Sequence, residues 1–133
     1  MRFTVDRLDH LVLHCEDVDV LASWYQRVLG MDREEFGEER RTALKFGGQK
    51  VNLRPVSADL RRWHTSDQVR SGTADLCFIT AVGPDEIIAH MQKCGVAVVQ
   101  GPVPKTGALG PMTSVYCRDP EGNLIEIASY LDV

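Results

Sequence analysis

The stretches Leu8-Asp9-His10-Leu11-Val12-Leu13 and Ala74-Asp75-Leu76-Cys77-Phe78-Ile79, brought into register by a shift of 65 positions, decide the fold. Each alternates along an apolar run, the pattern of a half-buried strand: Leu11 and Leu13 face one way and His10 and Val12 the other, and Asp75 shares the parity of Cys77. With this shift His10 falls on Asp75, Leu13 on Phe78, Leu29 on Cys94 and Gly30 on Gly95, so strand and following helix repeat together.

Working outward from His10, Asp17 offers a helix N-cap, and Leu21, Trp24, Tyr25, Val28 and Leu29 recur at helical spacing before Gly30, a natural C-cap. Strand-like stretches follow at 31–36, 41–46 and 50–54, the last two joined by Gly47-Gly48-Gln49. Pro55 ends the third, and 57–72 reads as a polar linker with one helical turn at 58–63. In the second half Pro84 opens a helix whose apolar face is Ile87, Ile88 and Met91, and Gly95 ends it. Strands are expected at 96–99, 113–118 and 123–129. The fold expectation is α+β: two tandem βαβββ modules, about 1–56 and 73–133, forming a curved, partly closed sheet around a cleft within a single domain.

A second shift, of 74 positions, lays Val51-Asn52-Leu53 on Ile125-Glu126-Ile127. His10, Asn52, Asp75 and Glu126 thereby become polar residues at equivalent positions inside apolar strands, where an unpaired polar group is costly. Imidazole and carboxylate suit one divalent ion of the Zn, Ni, Fe or Mn kind, with His10 and Glu126 as ligands and Asp75 as third ligand or base. Neutral Asn52 more naturally orients substrate or water. The plainer alternatives are a hydrogen-bonded core histidine for His10 and an ion-paired or cleft-wetted carboxylate for Glu126.

Among flanking residues, Arg54 shares the face of Asn52 and can clamp an anion or sit solvated at a strand end. Tyr130 shares the parity of Glu126 and either meets substrate or packs at an edge. Pro102 to Pro111 reads as a glycine-rich loop that closes over the cleft, with Lys105 contacting substrate or solvent. His14, His64 and His90 read as surface histidines. Cys77 beside a carboxylate is a poor nucleophile, because a nearby negative charge raises a thiol pKa.

The chain has 133 residues and a formal charge of -4, with its basic residues scattered apart from Arg40-Arg41 and Arg61-Arg62, so nucleic acid is an unfavoured partner. No apolar run reaches the roughly 20 residues of a membrane span and no secretory leader is legible, so a cytoplasmic location is expected. Four cysteines without a C-x-x-C are expected to be reduced and structural.

The segments Leu8-Asp9-His10-Leu11-Val12, Trp24-Tyr25-Gln26-Arg27-Val28-Leu29-Gly30-Met31 and Asp119-Pro120-Glu121-Gly122-Asn123-Leu124-Ile125-Glu126 resemble the vicinal oxygen chelate superfamily. That superfamily includes glyoxalase I, extradiol dioxygenases, fosfomycin-modifying thiol transferases and bleomycin-binding proteins. The resemblance covers nearly the whole chain and is closest to small glyoxalase-domain proteins with an Ala-Asp-Leu-Cys strand. It implies metal ligands at His10 and Glu126, chelation of two neighbouring substrate oxygens, and a homodimer. Asp75 stands where the family's enzymes usually have His, and Asn52 where glyoxalase I has Glu; an amide cannot act as that reaction's base. Two functions follow: a metal-dependent lyase, isomerase, dioxygenase or thiol transferase, or a metal-free protein of the bleomycin-resistance kind that sequesters a small aromatic or cationic compound.

Overall fold

The computed structural model describes residues 1–130, which divide into two compact units, residues 1–70 and from Ser71 onward. The first holds β1 (His10–Cys15), α1 (Val18–Leu29), β2 (Asp32–Phe36), β3 (Arg41–Phe46) and β4 (Gln49–Pro55). The second holds β5 (Asp75–Ile79), α2 (Pro84–Lys93), β6 (Gln100–Gly107), β7 (Gly110–Arg118) and β8 (Leu124–Ser129). The chain is therefore α+β and repeats βαβββ as expected. Its strands form two four-stranded sheets, in the orders β1-β4-β3-β2 and β5-β8-β7-β6.

Within each unit the first and last strands pair in parallel and the other contacts are antiparallel. Val12 lies opposite Asn52, and Cys77 opposite Glu126. The two sequence shifts carry the first pair onto the second, so the repeat extends to hydrogen-bond register.

Helix α1 forms where the spacing places it. The Asp17 carboxylate accepts the Val20 N–H at 3.1 Å, and Gly30 turns left-handed (φ 67°) while its N–H returns to the Gln26 carbonyl. Leu21, Trp24, Tyr25 and Val28 are buried against the sheet, and Ala22 joins them. In α2 only Ile87 and Met91 are buried. The segment 57–63 forms turns, with Trp63 N–H bonded to the Asp59 carbonyl at 2.9 Å.

The expected strand at 96–99 and the flexible loop at 102–111 are both corrected. Residues 96–99 are irregular, and β6 runs through the prolines. Proline cannot donate to a ladder, but β6 is the outermost strand of its sheet, where one flank needs no donor. Gly101 (φ 116°) lies so close to β7 that a Cβ there would stand 2.6 Å from the Ser114 carbonyl oxygen. Glycine and proline thus serve a bulged edge strand, with a register shift between Gln100 and Val103.

The turn before β8 is also built differently from a simple Pro-Gly hairpin. The buried Asp119 carboxylate accepts the N–H groups of Glu121 and Asn123 and the Asn123 side-chain amide, at 2.8–3.0 Å. The Asn123 Oδ1 in turn accepts the Ala74 N–H at 2.9 Å, tying the turn to the start of β5. Asp119→Ala leaves three donors unpaired, and we expect it to destabilise the protein by about 2–3 kcal/mol in urea unfolding.

Candidate functional site

Because α1 and α2 cover one face of each sheet, the polar residues named from the sequence emerge on the other. In the first unit this face carries His10 and His14 from β1, Lys50, Asn52 and Arg54 from β4, and Ala43 from β3. His10 is exposed, and its Nδ1 lies 2.8 Å from the Asp9 carboxylate, which leaves Nε2 without a hydrogen bond among the described residues. That bond lowers the Asp9 pKa, with the charges of His10, Arg7 and Lys50 adding to it.

Asn52 is buried between Val12 and Ala43, and its Oδ1 has no hydrogen-bond partner among the described residues. An unpaired buried carbonyl oxygen costs about 1–3 kcal/mol and marks a place for a donor. Arg54 is fully buried, and its guanidinium donates to the carbonyls of Pro55, Ala58 and Trp63 at 3.0–3.2 Å. It holds the connection after β4, so it is no solvated strand end. His14, read as a surface residue, is buried with Nε2 2.7 Å from the Thr65 hydroxyl. Its pKa is lowered by burial first and by the Arg54 charge second.

In the second unit the open face presents Asp75 and Cys77 from β5, Glu126 and Ala128 from β8, and Ser114 and Tyr116 from β7. Cys77, Glu126 and Tyr116 stand in one row across the sheet. The fully buried Ser114 hydroxyl donates to Glu126 Oε2 at 2.6 Å. Asp75 is exposed and Glu126 half-buried. Desolvation and then the Glu126 charge push the Cys77 thiol up to about 11, and the same two causes raise the Tyr116 phenol. Both groups keep their protons beside the carboxylate. Cys15 and Cys117 are the buried thiols expected, whereas Cys77 is exposed.

Tyr130 and Lys105 lie farther along this sheet. The Tyr130 hydroxyl accepts the Leu109 N–H at 3.1 Å, and a Cβ at Gly107 would overlap that hydroxyl and the Met112 sulfur. Tyr130 therefore pins the β6–β7 hairpin. Lys105 is exposed with its Nζ 5.8 Å from the centre of the Tyr116 ring. Ser114 and Tyr116 escaped sequence reading. Their alternation in β7 puts them on a polar face, but their partnership with Glu126 depends on a register the sequence does not spell out.

His10 and Asn52 belong to the first unit, Asp75 and Glu126 to the second. Among the described residues no group of three or more His, Cys, Asp or Glu side chains is assembled in position to hold a metal. The donor chemistry of two residues nevertheless fits one. A histidine whose other ring nitrogen is fixed by a carboxylate, and a carboxylate fixed through one oxygen by a hydroxyl, are the supports that orient metal ligands. No helix among the described residues is long and apolar enough to cross a membrane.

The sequence matches the Glyoxalase/Bleomycin resistance protein/Dioxygenase superfamily over residues 7–127, and the chain belongs to that family. It is 39% identical over 131 residues to a virulence protein of Salmonella typhimurium (strain LT2), covering 98% of this chain and 89% of the relative. It is 43% identical to a glyoxalase domain-containing protein of Mycosarcoma maydis, covering 98% and 72% respectively. An integron cassette protein from the mobile metagenome of V. Cholerae superposes with a TM-score of 0.93 at 42% identity, covering 98% of this chain and all of that one. Two more distant structures share the fold alone: a lactoylglutathione lyase from Agrobacterium tumefaciens (TM-score 0.72, 21% identity, 96% of each chain) and an antibiotic binding protein from Streptomyces (TM-score 0.73, 19% identity, 96% and 98%).

The raised thiol gives a direct test of the row in β5, β8 and β7. In chelator-treated protein at pH 8, a thiol of pKa about 11 is roughly one part in a thousand thiolate. Cys77 should therefore be alkylated by iodoacetamide much more slowly than an ordinary exposed cysteine, as read by peptide mass mapping. Glu126→Gln removes the second cause and should speed the reaction in part, since desolvation remains.

Proposed function

We propose that the protein is a metal-dependent enzyme of its superfamily, acting as a homodimer on a small molecule with adjacent oxygens. Its ligands are His10 and Glu126, with Asp75 as third ligand or base, and the ion is one of Zn, Ni, Fe or Mn. The observation that carries this reading is that both principal ligands are held from behind: Asp9 on His10 Nδ1 and Ser114 on Glu126 Oε2. When bound, such an ion supplies Lewis acidity toward a substrate oxygen.

The chain's own residues supply the rest of the site. The Asn52 carbonyl oxygen, buried and unpaired, accepts a hydrogen from a substrate hydroxyl and so orients it. Tyr116 and Cys77 stay protonated and border the Glu126 carboxylate. Asp75, exposed on the same face, is free to take a proton from bound substrate. Proton abstraction by a carboxylate at the Asn52 position, the glyoxalase I route, is closed to this chain.

A second reading drops the chemistry: a container for a small aromatic or cationic compound. It is favoured by the neutral amide of Asn52 at a customary ligand position, and by the fold shared with an antibiotic binding protein. Elemental analysis of untagged protein, before and after chelation and reconstitution, separates the two. We expect about one ion per chain in the wild type, lost from folded His10→Ala and Glu126→Ala. Stoichiometric metal retained in both variants overturns the ligand assignment, and no retained or restorable metal favours the container. Ser114→Ala should weaken metal affinity about 10–100-fold without loss of fold, measured by competition with a chelator.

A further inference from the structure

At the end of the first sheet away from His10 lies a cleft of about 300 Å³. Leu53 at its base is almost wholly buried, and Pro55, Ala58 and Trp63 line it from the connection that Arg54 holds in place. Arg40 lines it from the β2–β3 turn and Arg41 from the first residue of β3. The Leu53 side chain belongs to the face of β4 opposite Asn52 and Arg41 to the face of Ala43, so the cleft wraps the end of the sheet, at the opposite end of β1 and β4 from His10.

Its charges are unevenly matched. Arg41 stacks 4.1 Å from the Trp63 ring centre and donates to the Arg62 carbonyl at 2.8 Å, so it is fixed in place. Glu39, the one carboxylate of the lining, pairs with Arg62 at 3.1 Å and Arg41 at 3.5 Å. The Arg40 side chain has no hydrogen bond or ion pair among the described residues. Its backbone is left-handed (φ 52°), a conformation that glycine adopts freely and arginine only with strain. Glu39 is already shared by Arg41 and Arg62, so the Arg40 charge stands unbalanced beside an apolar floor and an indole.

We propose that this cleft is a second small-molecule site, taking a planar aromatic carboxylate. The ring packs against Leu53, Pro55 and Trp63, and the carboxylate is met by the Arg40 guanidinium and the remaining N–H groups of Arg41. A guanidinium fork matches a carboxylate in two hydrogen bonds, and one unbalanced positive charge suits a monoanion. The volume is at the small end of ligand pockets, the size of a one- or two-ring compound.

The test is titration of the whole protein with 2-naphthoate, followed by the Trp63 indole N–H and the Arg40 and Arg41 amides in proton–nitrogen correlation spectra. Saturable shifts with a dissociation constant of about 1 mM or tighter are expected, absent with the uncharged 2-naphthamide. Arg40→Gly removes the guanidinium while suiting the backbone. It should melt no lower than the wild type and bind about tenfold more weakly or worse. Trp63→Phe checks the ring contact without moving the charge and should also weaken binding. No saturable shift of these signals by about 10 mM, equal binding of the amide, or undiminished affinity in Arg40→Gly overturns the proposal. Metal content plays no part in this measurement, so its outcome is separate from that of the metal site.

Discussion

Two parallel strands cannot be joined by a tight turn, and each unit of this protein places its first and last strands in parallel contact. The chain must travel away and come back between them. It does so through a helix and two antiparallel strands, and the helix covers one side of the sheet on the way. One face is thereby dry and the other left for polar side chains. Everything at the candidate site follows from that division: Val12 faces the same side as Asn52, Cys77 the same side as Glu126, and the helices stay out of the way.

The same constraint explains why much of the architecture could be read from residues alone. Alternation around His10 and Asp75, helical spacing from Leu21 to Val28, and Gly30 at a left-handed cap are local signals, and the local structure obeys them. Proline and glycine between Gln100 and Gly107 are local signals too, and there they mislead. Their usual meaning is a loop, but an outer strand has one flank without neighbours, and tertiary position overrides propensity. The last strand was legible as a strand, while the Asp119 network that sets its start depends on Ala74, far away in sequence.

For the site, the sequence singled out residues by what they are and missed what supports them. His10 and Glu126 are conspicuous as polar residues in apolar runs. Ser114 is an ordinary serine until register sets it beside Glu126, and Trp63 an ordinary linker aromatic until Arg41 stacks on it. Arg54 shows the reverse: a charge on the right strand face suggested ligand contact, yet complete burial and three carbonyl acceptors make it a scaffold for the connection after β4. Parity along a strand predicts direction but not reach.

The proline-bearing strand β6 has one more effect. An outer strand with all its donors in place is a template on which another chain can add, the route by which β proteins aggregate. Pro102 and Pro104 remove two donors, Lys105 adds a charge directly after them, and the register shift between Gln100 and Val103 breaks the flat edge. At the corresponding border of the other sheet, β2 presents the charged run Asp32-Arg33-Glu34-Glu35. By these two different means the borders formed by β2 and β6 resist edge-to-edge growth.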